Sequence, residues 1–63
     1  MKVYVERAHK SVEAKGENVD EILKQLKLNP TTVLVSKNGK IVLGSEKVST
    51  QDEIIIYSVV SGG

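Results

Sequence analysis

The chain contains no cysteine, which excludes a disulfide framework and a thiolate metal site. Phenylalanine and tryptophan are also missing, and Tyr4 and Tyr57 are the only aromatic residues, so a core has to be built from valine, isoleucine and leucine. Neither sign of charge dominates. Nine lysines and arginines against eight aspartates and glutamates give a net charge of +1, with the signs interspersed, so the basic footprint of a nucleic-acid binder is absent. No apolar run approaches the roughly 18 residues of a transmembrane candidate. The stretch Met1-Lys2-Val3-Tyr4-Val5-Glu6 lacks the apolar region of a secretion signal. These absences point to a cytoplasmic protein with no membrane and no direct nucleic-acid partner. Sixty-three residues make a single domain, 1–63, and a chain of that size buries only about 60% of its unfolded surface. It is too small to enclose a deep substrate pocket, which argues for a module that works inside a partner and not for an enzyme.

What is present is patterned. Met1, Val3 and Val5 alternate with Lys2, Tyr4 and Glu6, the period-two signature of a strand with one buried face. A polar turn around Ala8-His9-Lys10 leads to a second alternation with Val12 and Ala14 inward, which predicts a hairpin ended by Gly16. A glycine there is expected to supply the positive φ of a strand-to-helix corner. From Asn18 the period changes. Val19, Ile22, Leu23 and Leu26 fall on one face of an amphipathic helix, with Asn18 as N-cap and Glu21 placed for the reciprocal bond of a capping box. Pro30 ends it, because the residue before a proline disfavours helical angles.

A third strand is expected over Thr32–Lys37 and a fourth over Lys40–Leu43. Asn38-Gly39 between them fits the two positive φ values of a type I′ turn. A polar loop from Gly44 to Gln51 leads to a last strand, Glu53–Val60, apolar on both faces as a central strand should be. The order is hairpin, helix, hairpin, final strand. One helix covers only one face of such a sheet, and placing the final strand beside the first gives an α+β, β-grasp (ubiquitin-like) fold with a mixed four- to five-stranded sheet.

The last strand runs into Ser61-Gly62-Gly63, expected as a flexible tail over residues 61–63. Glycines without Cβ atoms can thread a narrow channel in conformations other residues cannot adopt, and Ser61 is small as well. Taken with the helix Val19-Asp20-Glu21-Ile22-Leu23-Lys24-Gln25-Leu26, the segment Pro30–Gly39 and the ending from Asp52 to Gly63, the chain resembles the ubiquitin-like sulfur carriers of the ThiS/MoaD type. Gln51 stands before Asp52 where that family often places glycine, so the turn into the last strand departs from the pattern. The resemblance implies that an E1-like, ATP-dependent adenylating enzyme activates the carboxylate of Gly63. Sulfur from a persulfide relay enzyme then displaces AMP, and a downstream acceptor enzyme receives sulfur from the resulting thiocarboxylate, in thiamine, molybdopterin or tRNA thiolation pathways. ATP belongs to the activating enzyme, and no cofactor is expected on the carrier.

The chemistry fits this division of labour. An α-carboxylate is ionised at neutral pH and is a poor acyl donor until given a leaving group. Gly63 is therefore the reacting group, and no side chain is needed as catalyst. Docking is expected through Ile55, Tyr57 and Val59 if Ile54 and Ile56 face the helix, with Tyr57 as the anchor because aromatic residues are enriched at interface hot spots. His9, alone and in a turn, reads as surface and not as a metal ligand. Lys37-Asn38-Gly39-Lys40 reads as a solvated turn, and Glu13, Glu17, Asp20 and Glu21 read as surface and helix-start charges. Two other functions share the same sequence features: a modifier conjugated through Gly63 to lysines of target proteins, and a non-covalent β-grasp interaction domain.

Overall fold

The structure is a computed structural model and describes residues 1–59. Five strands, β1 (Lys2–Val5), β2 (Lys10–Glu13), β3 (Val33–Lys37), β4 (Lys40–Val42) and β5 (Ile54–Ser58), and one helix, α1 (Val19–Gln25), make up the domain. The strands form one sheet in the order β2-β1-β5-β3-β4. The last strand is central, parallel to β1 with Val3 opposite Ile54 and antiparallel to β3 with Val33 opposite Ser58. This is a mixed sheet with one helix, the β-grasp arrangement. The core lies between α1 and the sheet and contains Val3, Ala14, Val19, Ile22, Leu23, Val35, Ile54 and Ile56, all buried. Burial of an aliphatic side chain of this size is worth on the order of 1.5–3 kcal/mol, so a few such residues dominate the stability of so small a domain.

Several boundaries differ from the sequence reading. Lys10 is the first residue of β2, because the turn before it is made by a 3-10 segment, Glu6–Ala8, and by His9 in the left-handed region at φ 54°. Residues Pro30–Thr32 form a second 3-10 segment, so β3 starts at Val33 and not at Thr32. There the Asn29 side chain takes the Thr31 N–H at 3.0 Å and competes with strand pairing. Leu43 and Val59 each lie one residue beyond β4 and β5. The expected Asn38-Gly39 turn is present, with φ of 53° and 88° and Lys37 opposite Lys40.

Gly16 is corrected in its reason. Of the described glycines only Gly39 has a positive φ. At Gly16 the start of the helix comes close instead: an added Cβ would stand 2.9 Å from the Glu21 Cβ. The cap is also corrected in detail. Asn18 Oδ1 accepts from the Glu21 N–H at 2.9 Å, but the Glu21 carboxylate takes the N–H of Glu17 at 2.8 Å and not that of Asn18. The loop after β4 supplies the rest of the cap. The Val19 N–H donates to the Glu46 carbonyl at 3.0 Å and the Asp20 N–H to the Gly44 carbonyl at 2.9 Å. The free donors of the first turn are thereby satisfied by a segment more than 20 residues away, and Gly44 lies so near the Asp20 carboxylate that a side chain there would collide with it.

The helix ends without glycine. Leu28 N–H donates to the Leu23 carbonyl at 2.9 Å and Lys27 N–H to the Lys24 carbonyl at 3.1 Å, the paired bonds of a Schellman motif. Lys27 holds the left-handed position at φ 60°. Leu23 and Leu28 belong to one apolar cluster, the contact that accompanies this motif.

Candidate functional site

Strand alternation sorts β5 into two faces. Ile54 and Ile56 are buried against the helix side, while Ile55 and Tyr57 are half-buried on the opposite, open face. Register brings neighbours to them. Ile55 stands between Tyr4 of β1 and Ser36 of β3, and Tyr57 is opposite Leu34. Ile41 of β4 is opposite Ser36 and continues the row. The open face therefore presents Tyr4, Leu34, Ile41, Ile55 and Tyr57. Of these Leu34 is 45% and Ile41 58% exposed. Ser36, enclosed by the flanking isoleucines in register, is buried. Beyond the strand ends Val59 is 45% and Leu43 79% exposed.

The sequence reading named Ile55, Tyr57 and Val59 for docking. The structure adds Leu34 and Ile41 beside them. Their signal was available in the sequence: in Val33-Leu34-Val35 the strand is apolar on both sides, as in β5, and only one of those sides can face the helix. Ser61, Gly62 and Gly63, read as the tail and its reacting group, lie outside the described residues. The last described residue, Val59, has its N–H bonded to the Thr32 carbonyl at 3.0 Å, which anchors the chain at the end of β5.

The opposite end of β5 is fastened by charge and hydrogen bonds. Asn38 in the β3–β4 turn exchanges bonds with Glu53, donating its N–H to the Glu53 carbonyl and accepting the Glu53 N–H on Oδ1, each at 2.9 Å. Its Nδ2 donates to Asp52 Oδ1 at 3.0 Å, and Ser49 N–H donates to Asp52 Oδ2 at 2.8 Å. These bonds, the Asn38 amide first, with the nearby Lys37 ammonium, hold the Asp52 carboxyl below its ordinary value. Lys37 Nζ reaches Glu46 Oε2 at 3.0 Å and the Lys47 carbonyl at 2.9 Å, and the Glu46 contact raises its pKa. The network is structural, since every member is used to seat the turn that feeds β5.

The remaining candidates are also accounted for locally. His9 is exposed in its turn. Glu13 pairs with the terminal ammonium of Met1 at 3.4 Å, and Glu21 caps the helix. Among the described residues no group of three His, Cys, Asp or Glu side chains is placed to hold a metal ion, and no helix is long and apolar enough to cross a membrane.

Residues 2–63 match the ThiS family. The sulfur carrier protein TtuB of Thermus thermophilus is 34% identical over 55 residues, which cover 86% of this chain and 85% of that protein. Nearly the whole chain is matched, the sheet order is that of a β-grasp, and the central last strand leads toward the glycines. The chain belongs to the ThiS family, the ubiquitin-like sulfur carriers of the ThiS/MoaD type.

Proposed function

We propose that this protein is a cytoplasmic sulfur carrier whose Gly63 carboxylate is the group that reacts. The observation that carries the reading is the family match through residue 63. The likeness to a protein named as a sulfur carrier adds support. An E1-like activating enzyme supplies ATP. The carboxylate oxygen attacks the α-phosphorus, pyrophosphate leaves, and an acyl-adenylate forms. A persulfide on a relay enzyme then attacks the acyl carbon with its terminal sulfur, and AMP departs with the bonding pair. Reduction of the acyl disulfide by a partner thiol leaves the thiocarboxylate, the sulfide donor for an acceptor enzyme. All the sulfur chemistry before the thiocarboxylate belongs to partners, because this chain has no cysteine.

The carrier contributes position. The rigid central strand delivers the tail, and the open face with Ile55 and Tyr57, extended by Leu34 and Ile41, holds the partner. Val59 is the last described residue before the tail. The test is incubation with the activating enzyme of the same organism and ATP, read by pyrophosphate release and by intact mass. The carrier gains the mass of one sulfur in exchange for oxygen when the relay enzyme is added. Deleting Gly63 abolishes adenylation and leaves the melting temperature nearly unchanged, since a terminal glycine adds few contacts. Normal pyrophosphate release by the deletion variant refutes the reading.

A further inference from the structure

The helix side of the sheet is left open at one end. Seven helical residues span about 10 Å, while the five residues of β5 span about 16 Å, so α1 cannot roof the whole strand. At the end where β5 finishes, a crevice of about 190 Å³ opens on the helix side, floored by Val5, Leu28, Val33 and Ile56 and rimmed by Arg7 and Ser58. Its floor is apolar, and three of those four residues are only half-buried. The volume is below the roughly 300–1,000 Å³ of small-molecule sites, so it suits an aliphatic side chain and not a cofactor.

Charge at this end is one-sided. The one charged residue that lines the crevice is Arg7; beside lining residues stand Lys10, in register with Val5, and Lys27, which precedes Leu28, against one carboxylate, Glu6, between Val5 and Arg7. Among the described residues none of these three cations forms an ion pair. The Arg7 guanidinium at the rim offers a charge complementary to a carboxylate on a partner's surface.

We propose that this crevice and its basic rim form a second docking site, which takes an aliphatic side chain flanked by carboxylates on an exposed segment of a partner protein. The partner then holds the stem of the tail from both sides, with the open face on one side and the crevice on the other. The inference rests on the carrier reading only in taking the activating enzyme as the first partner to test.

Two measurements test it. In steady-state adenylation, Arg7→Glu raises the KM for the carrier about tenfold or more, because reversing a charge against a complementary surface costs affinity and on-rate. The gap narrows as salt is raised, and Arg7→Lys restores most of the affinity. Ser58→Leu, which plugs the mouth from an exposed position, raises KM without altering the salt dependence. Circular dichroism confirms that each variant is folded. Wild-type KM in both Arg7→Glu and Ser58→Leu overturns the proposal.

The second measurement does not depend on the carrier reading. Isotope-labelled wild-type protein is titrated into the millimolar range with a capped hexapeptide of alternating leucine and glutamate. Shifts at the amides of Val5, Leu28 and Val33 that vanish with the leucine–glutamine peptide support the site. No shift, or equal shifts with both peptides, overturns it. So does a concentration-dependent dimer that Ser58→Leu abolishes, which would assign the crevice to a second copy of this chain. If wild-type protein is not adenylated at all while the peptide shifts are seen, the carrier reading fails and the docking site stands.

Discussion

Replacing Lys27 by glycine should leave the domain more stable than replacing it by alanine, and the helix C-terminus sets the size of the difference. Lys27 occupies the left-handed position of the Schellman motif at φ 60°, a conformation that costs a residue with a Cβ about 1–2 kcal/mol and costs glycine nothing. Glycine gives back about 0.4–1 kcal/mol through the greater freedom of the unfolded chain. The mutation also removes a cation from the negative end of the helix dipole, worth about 0.3–1 kcal/mol at an exposed site. Lys27→Ala loses the same cation and keeps the Cβ, so the comparison between the two variants isolates the backbone. Lys27→Gly should exceed Lys27→Ala by about 1 kcal/mol. With an unfolding entropy of roughly 2.1 cal/mol/K per residue, that difference is about 8 °C in Tm for a domain of this size. The assay is reversible thermal unfolding followed by circular dichroism, with urea titration as a check on the free energy. A glycine variant that melts at or below the alanine variant refutes the left-handed assignment, and with it the two hydrogen bonds that close the helix on Leu28.

Three further outcomes follow from other parts of the molecule. Leu23→Asp should unfold the domain, because Leu23 is 3% exposed and an unpaired buried charge costs several kcal/mol out of a total on the order of 5 kcal/mol; a cooperative transition near the wild-type temperature would contradict the placement of the helix face. Tyr57→Glu should leave the monomer folded and weaken binding to the activating enzyme by about 2 kcal/mol, roughly thirtyfold in Kd, and unchanged affinity in a titration would move the docking surface elsewhere. Asp52, held below its ordinary value of 3.8 by Asn38, Ser49 and Lys37, stabilises the fold above that pH and loses its contribution as pH falls through its lower folded value. Denaturant titrations below pH 4 should therefore show a steeper loss for wild type than for Asp52→Asn, and parallel curves would remove Asp52 from the acid response.

Local pattern was enough for the elements. The alternation of Val3 and Val5, the 3.6-residue spacing of Val19, Ile22, Leu23 and Leu26, and the Asn38-Gly39 turn are each read from neighbours in the chain, because their physics acts over a few residues. The doubly apolar last strand is likewise legible, and in the sheet one of its apolar rows, Ile54 and Ile56, packs under the helix while the other, Ile55 and Tyr57, lies on the open face. The apolar residues of β5 were legible as a row on one strand because alternation acts within the strand, while the Ser61-Gly62-Gly63 ending lies outside the described residues.

Other features depend on contacts that no local window contains. Gly16 looked like a residue chosen for its φ, but it is small because Glu21 crowds it. The helix cap looked like a reciprocal pair and is in part the work of Gly44 and Glu46, whose carbonyls arrive from the loop after β4. Leu34 and Ile41 join Ile55 and Tyr57 only because register sets β3 beside β5 and β4 beside β3. The crevice at Arg7 exists because a short helix stops before the strands beneath it do. Short-range periodicity and residue type therefore set the elements and their order. The tertiary structure alone decided which surfaces those elements share, because a side chain's neighbours across a sheet or under a helix are set by where the backbone folds back.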